Sequence, residues 1–326
     1  MIQRLLKAGL AAVLYYTGAL WLLRRLAARR GEALIVTYHA VDADLSGACP
    51  AEVEAGLVVS RSTLHRQLRH LARRYRMVGL NELARAAAGD GSPGGLCAVT
   101  FDDGLAGLVE HALPVLTELG VPATVFVPSD YVGDSGELPA LRLRRAIWAG
   151  GGSSQAAERH KRLGRDGVIA ASEAIERSLS ADQRAALARL TPRCVMGSDD
   201  LVQVMQAGVT LGSHGRVHDP LPQLSPEAQR AELTGSKMAL ETLTGCAPTC
   251  FCYPHGAADR STAALAKEAG YLCACTTRQG SVRAGDNLHL LRRIALDENT
   301  SKGVGWAFSP SRFEAAVRMR ARRGKR

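Results

Sequence analysis

Seven times along this chain a short apolar run stops at residues that cannot continue a strand, and most of the gaps between runs carry helical spacing. The runs end near Tyr38, Phe101, Val127, Ser213, Tyr253 and Thr277, and a further one covers about Leu290 to Leu296. Between them Leu64, Leu68 and Leu71 repeat at helical spacing, and Ser225-Pro226 opens a helix that Gly245 can close. Another helix is expected from Ser198 to Ala207, with Ser198 as cap and Gly208 as stop. Strand then helix, repeated, requires parallel strands joined by right-handed crossovers. In such an α/β architecture chemistry is done at the C-terminal ends of the strands.

Three strand ends carry reactive residues. Thr100-Phe101-Asp102-Asp103-Gly104 closes the run Leu96-Cys97-Ala98-Val99 with two adjacent carboxylates. Alone, an Asp-Gly pair is equally a turn or a helix cap. Ser213-His214-Gly215-Arg216-Val217-His218 follows Val209-Thr210-Leu211-Gly212. Two imidazoles four residues apart share a face if the chain is helical there, which suits a divalent metal; isolated, such a pair is more often two unrelated histidines. One carboxylate plus two imidazoles supplies three ligands and leaves a position for water. The third stretch, Phe251-Cys252-Tyr253-Pro254-His255-Gly256, bends the backbone, so that an N–H near Tyr253 can face a ligand.

With all three in order, the chain resembles the polysaccharide deacetylase family, also called the NodB-homology or carbohydrate esterase 4 group. The resemblance runs from about Ala33 to about Leu296 and includes Thr37-Tyr38-His39-Ala40-Val41, Ala112-Leu113-Pro114-Val115-Leu116 and Pro122-Ala123-Thr124-Val125-Phe126-Val127. It implies a distorted (β/α) barrel with a metal, usually zinc, at its C-terminal mouth. It also implies Asp102 as general base, Asp103, His214 and His218 as metal ligands, and the backbone N–H of Tyr253 as an oxyanion donor. The general acid is open: the family's Leu-x-His motif does not match Asn287-Leu288-His289, which leaves His39, His255 and His289 as candidates. An arginine that opens the third motif in some relatives is replaced here by Cys252.

The formal charge of +10 first suggests nucleic acid, but its distribution excludes a basic groove. Residues 1–30 carry six basic residues and no acid, and residues 311–326 carry seven against Glu314, so each end is +6 and residues 31–310 are −2. The basicity of the ends fits an anionic membrane surface. Ala8 to Leu23 is free of charge for sixteen residues. As one helix it would be about 24 Å long against a hydrocarbon core of about 30 Å. An uncleaved anchor is expected, spanning or lying in the interface with Tyr15, Tyr16 and Trp21 near the headgroups. The arginines following it place the domain on the cytoplasmic side by the positive-inside tendency. Most of the eight cysteines sit in apolar strand contexts that suit free buried thiols, which leans the same way. Cys250-x-Cys252 and Cys273-x-Cys275 could converge as a second metal or redox site, but small strand fillers explain them better.

The expected organisation is an anchor over residues 1–30, a deacetylase domain over 31–305 and a basic tail over 306–326. Residues from about Asp134 to Arg193 break the rhythm as a charged helical insertion, read as a solvated excursion more than a substrate cap. The leading function is metal-dependent N-deacetylation of an amino sugar in a polysaccharide or lipid-linked saccharide. Its rivals are deformylation or another amide hydrolysis on a lipid-linked amino sugar, and an inactive glycan-binding or membrane-complex scaffold.

Overall fold

The structure, a computed structural model, describes residues 2–323 apart from 47, 134–135, 160–162 and 304–306. The expected start of the insertion at Asp134 and the last tail residues, Lys325 and Arg326 among them, lie outside the described residues.

Among the described residues ten strands follow in chain order: β1 (Leu34–Tyr38), β2 (Ala40–Asp42), β3 (Val58–Ser60), β4 (Arg76–Met77), β5 (Leu96–Phe101), β6 (Ala123–Val127), β7 (Thr210–Ser213), β8 (Cys250–Cys252), β9 (Cys273–Gln279) and β10 (Leu291–Ala295). Seven of them, in the order β1-β10-β9-β8-β7-β6-β5, close into a barrel because β5 also pairs with β1. Every pairing in the barrel is parallel, and β1 and β5 match from Leu34 opposite Cys97 to Tyr38 opposite Phe101. β4 lies beside the start of β5, and β2 with β3 forms a separate parallel pair.

All seven expected strands are present, with ends displaced by at most two residues: β8 stops at Cys252 and β9 continues to Gln279. β2, β3 and β4 were not expected, and at two or three residues each they are too short to show a period. Strands buried on both faces read as continuous apolar runs, and alternate residues divide between two cores. Ile35, Ala98, Phe126 and the cysteines Cys250, Cys252, Cys273 and Cys275 fill the barrel, while Val36, Cys97, Val99, Val125 and Val127 face the surrounding helices. Cys250 and Cys273 are direct neighbours in register, with Sγ atoms 3.1 Å apart, and act as the expected small fillers. Leu80, Leu83 and Ala84 of the helix Leu80–Ala88 join this interior cluster near the strand starts.

The helix expected from the Leu64, Leu68 and Leu71 spacing is present, a second matches its expected punctuation, and a third differs in detail. Ser60 caps Arg61–Ala72, and Ser225 caps Pro226–Thr244, which ends at a left-handed Gly245. The helix Ser198–Gln206 is instead capped by Gly197, whose N–H donates to Asp200 Oδ2 at 3.0 Å.

The N-terminal apolar segment does not form one helix. It makes Ile2–Tyr16 and Ala19–Arg29, broken at Gly18 with φ 79°, and no described helix is long and apolar enough to cross a membrane. The hairpin is packed on the domain: Arg74 donates to the Tyr15 hydroxyl at 2.7 Å, and Arg24 pairs with Glu314 at 3.1 Å. Glu314 belongs to a helix, Pro310–Arg322, within the basic tail, and Phe313 and Val317 of that helix enter the outer core.

The insertion departs from the solvated excursion expected of its charge. Its helices Pro139–Ala149, Ser154–Arg159 and Arg165–Ser178, followed by Ala181–Ala188, build a small core of Leu143, Ile147, Ala157 and Val168 from the first three. Its charges are paired within it and across to the domain: Arg145 pairs with Glu137 inside the insertion, and Arg193 ties it to the domain by bridging Asp42 and Glu52 at 2.7 and 2.6 Å.

Candidate active site

The three motifs meet at the C-terminal mouth of the barrel because each follows a strand that ends there. Asp102 extends β5 by one rung, its N–H donating to Tyr38 O, and His214 likewise extends β7 by donating to Val127 O. Beyond these rungs the backbone turns sharply. Asp103, His218 and His255 have φ values of 68°, 64° and 57°, and they are the non-glycine residues with positive φ among the described residues. Such strain concentrates where surrounding structure forces a side chain into position, and all three border one cavity.

Asp103 Oδ1 lies 3.4 Å from His214 Nε2 and 3.3 Å from His218 Nε2. The expected helical spacing is not how the histidines meet, since residues 214–218 form a loop. Gly215 reverses the chain at φ 77°, where an added Cβ would stand 2.9 Å from Glu232 Oε2. That carboxylate accepts the N–H groups of Arg216 and Val217 at 2.7 and 3.2 Å, which pins the loop. His214 Nδ1 donates to Cys252 O at 2.7 Å, so its Nε2 is left as an acceptor aimed at Asp103. Three donor atoms within 4.8 Å of one another, one imidazole held by a carbonyl behind it, are what a divalent ion requires. Burial pushes the Asp103 carboxyl up, but the two imidazoles facing it hold it well below the usual carboxylate range.

Asp102 faces the same cavity from beside the triad, with its carboxylate gripped from behind. Arg293 Nη1 and Nη2 donate to Asp102 Oδ1 and Oδ2 at 2.6 and 2.7 Å. Arg293 is buried inside β10 and is further fixed by Thr276 O, Thr37 Oγ1, Thr100 Oγ1 and the Cys252 thiol. Burial raises the Asp102 carboxyl, and Arg293 more than reverses this, leaving it below the ordinary range. The guanidinium absent from position 252 is thus supplied two strands along the barrel and touches Cys252 itself. Arg293 is not among the residues expected at the site, although the two arginines between Leu291 and Ile294 in an otherwise apolar strand are a signal, because a buried charge needs a partner.

The remaining candidates separate. His39 borders the cavity with Nε2 3.8 Å from Asp102 Oδ2, and the His255 ring stands 4.8 Å from that of His218. His289 does not reach the site: its Nε2 bonds to Tyr271 O at 2.9 Å and its carbonyl accepts the Tyr253 hydroxyl. Nor is the Tyr253 N–H free to meet an oxyanion, because β8 continues one rung further and this N–H donates to Cys275 O at 3.1 Å. The sharp turn comes one residue later than expected, at Pro254 to Gly256, where His255 has φ 57°.

The cavity has a volume of about 280 Å³. Its floor is the triad with Asp102, and much of its wall is the insertion, through Leu138, Leu141, Leu143 and Val168. Arg144, also buried, adds a cation to that wall. The insertion therefore shapes the space in which a substrate would sit.

Comparison with known proteins agrees with this fold. The family model for polysaccharide deacetylase matches residues 90–274, more than half of the chain. The putative polysaccharide deacetylase YxkH of Bacillus subtilis (strain 168) is 22% identical over 238 residues, 73% of this chain; the match spans 64% of that protein's length. The Streptococcus pyogenes deacetylase PplD, solved in complex with acetate, shares the fold with a TM-score of 0.61 at 20% identity, over 88% of this chain and 98% of that one. IcaB from Ammonifex degensii does so with a TM-score of 0.59 at 18% identity, over 88% and 97%.

Proposed function

Because the chain belongs to the polysaccharide deacetylase family, we propose that it is a metal-dependent hydrolase removing N-acetyl groups from amino sugars of a polysaccharide or lipid-linked saccharide. The observation that carries this reading is the convergence of Asp103, His214 and His218 on one cavity, with Asp102 beside them and held by Arg293. Asp103, His214 and His218 would hold a divalent metal, zinc by donor type, whose contribution when bound is to acidify a water and polarise the acetyl carbonyl.

The chain's own residues supply the rest. Asp102 enters the reaction ionised and takes the proton of the attacking water, while Arg293 fixes its orientation without occupying the cavity. The departing amine takes its proton from an imidazole at the cavity edge, His39 or His255, since His289 is committed elsewhere. His214 keeps its orientation through the Cys252 carbonyl. An inactive scaffold would have little need of this complete set, and deformylation would use the same groups on a smaller acyl substrate.

Acetate release from chitooligosaccharides and from lipid-linked amino sugars tests the reading. Asp102→Asn is expected to lose roughly 10²–10⁴-fold in kcat with bound metal retained, the usual scale for removing a general base. His214→Ala is expected to lose both activity and stoichiometric zinc. Equal activity in wild type and both variants would overturn the mechanism, and formate release without acetate release would establish the deformylase instead.

A further inference from the structure

We infer that the outer face of the N-terminal helical hairpin docks on an anionic lipid surface and holds the barrel with its mouth turned away from the bilayer. The hairpin turns only a few apolar side chains inward, with Ala11, Leu20 and Ala27 buried. On the outward rows Leu10 is 61%, Val13 59%, Tyr16 82%, Trp21 50% and Leu22 51% exposed, and Leu26 is exposed beside them. In the second helix the rows Trp21-Arg25-Arg29 and Leu22-Leu26-Arg30 each run at a spacing of four, so apolar residues lie on one end and arginines on the other. The Arg25 guanidinium stands 4.9 Å over the Trp21 ring, covering its face while keeping the charge outward.

Charge identifies the occupant. Residues 1–30 contain no acid, and Lys7, Arg25, Arg29 and Arg30 are all exposed, whereas Arg24 turns inward to Glu314. A second copy of the chain would bring like charges together across this face, while anionic headgroups would neutralise them and the apolar rows would enter the interface.

Orientation follows from topology. The second helix runs directly into β1, and Ala28 O fills the space that a Cβ on Gly94 would need, just before β5 begins. Since all barrel strands are parallel, the hairpin lies at their starts and the catalytic motifs at their ends. A five- or six-residue strand spans roughly 20 Å. The reacting sugar must therefore stand off the surface by at least that depth. Joined to the deacetylase reading, on which this last step rests, the orientation selects a polymer reaching in from the aqueous side over a single sugar joined directly to lipid phosphate in the same bilayer.

Co-sedimentation of the full chain with phosphatidylglycerol/phosphatidylcholine vesicles, against phosphatidylcholine alone, tests the docking without any need for catalysis. Binding is expected to favour the anionic vesicles by roughly tenfold or more and to weaken as salt rises. The double variant Leu22→Ser/Leu26→Ser and, separately, Arg25→Gln/Arg29→Gln should each lose most of this binding while releasing acetate from soluble chitooligosaccharide like wild type. Both pairs are exposed, so folding is preserved, and unchanged thermal melting confirms it. Equal binding to neutral vesicles, or undiminished binding by both variants, overturns the docking. So does a dimer in light scattering that the same substitutions abolish. Wild-type protein on anionic vesicles that cleaves soluble substrate as fast as free enzyme supports the outward mouth, and inhibition by the vesicles overturns it.

Discussion

The two ends of the barrel are built on opposite plans. At the mouth, Asp102, Asp103, His214, His218 and His255 all lie within six residues after the end of a strand, so a stretch of local sequence carries each part of the site. At the strand-start end, Glu314 gathers Arg24, His70 and Arg74 from positions 240 or more residues away, and none of them belongs to a recognisable local pattern. The difference teaches that chemistry in this fold is written in short motifs, while the attachment of its terminal helices is written in charges that meet only after folding. Arg293 is the exception that joins the two plans, a long-range charge serving the mouth.

Arg293 gives the largest expected effect. Replacing it by Met should cost about 3–5 kcal/mol of stability, because Asp102 is left as a buried charge without its bidentate partner. Urea unfolding measures the cost, and zinc binding measured separately should persist, since Arg293 touches no member of the triad. Arg293→Lys should recover part of the stability but little of the activity, as one ammonium cannot hold both carboxylate oxygens. A Met variant as stable as wild type would place Arg293 among passive fillers and restore the simple division between the ends.

Glu314 is the corresponding test at the other end, with a smaller effect. Glu314→Gln should cost about 2 kcal/mol, the scale of hydrogen bonds to a buried charge, and leave acetate release from soluble substrate unchanged. Acid should weaken this end in two stages. Burial pushes the His70 imidazole down, so as pH falls below about 6.5 the unfolded chain takes a proton that the folded one resists. Burial pushes Glu314 up, but His70 and Arg24 hold it below its ordinary value, so its contribution is present above about pH 4.3 and is lost below it. Melting temperatures from pH 7.5 to 3.5 should therefore fall in wild type and fall less steeply below pH 5 in Glu314→Gln. An undiminished acid slope in the variant would assign the loss to the mouth carboxylates instead.

The same contrast explains what the sequence disclosed. The barrel strands were legible because burial on both faces makes them plain apolar runs, and the triad was legible because Asp-Asp and His-x-x-x-His follow such runs directly. Spacing suggested a helix for the two histidines, whereas a left-handed Gly215 and the Glu232 carboxylate bring them together on a loop. The Tyr253 N–H was misjudged because one extra rung between β8 and β9 cannot be read from residue types. In the insertion, composition suggests solvent because an arginine such as Arg193, whose partners Asp42 and Glu52 lie far along the chain, looks unpaired in sequence.

Gly18 offers the smallest and most local test of how the strand-start end is made. At φ 79° it breaks sixteen uncharged residues into a hairpin, and a Cβ there would meet nothing within 4 Å, so any cost of Gly18→Ala is a backbone cost. A left-handed alanine is disfavoured by roughly 1–2 kcal/mol, and alanine in a helix gains about 1 kcal/mol over glycine. Both terms favour one continuous helix, which would carry Ile2–Tyr16 away from Arg74 and from the helix Pro310–Arg322. The expected result is a loss of about 1 kcal/mol in urea unfolding, faster proteolysis between residues 1 and 30, and unaltered catalysis on soluble substrate. If proteolysis and stability are unchanged, the Arg24–Glu314 and Tyr15–Arg74 contacts alone hold the hairpin, and the terminal attachment is long-range without a local determinant.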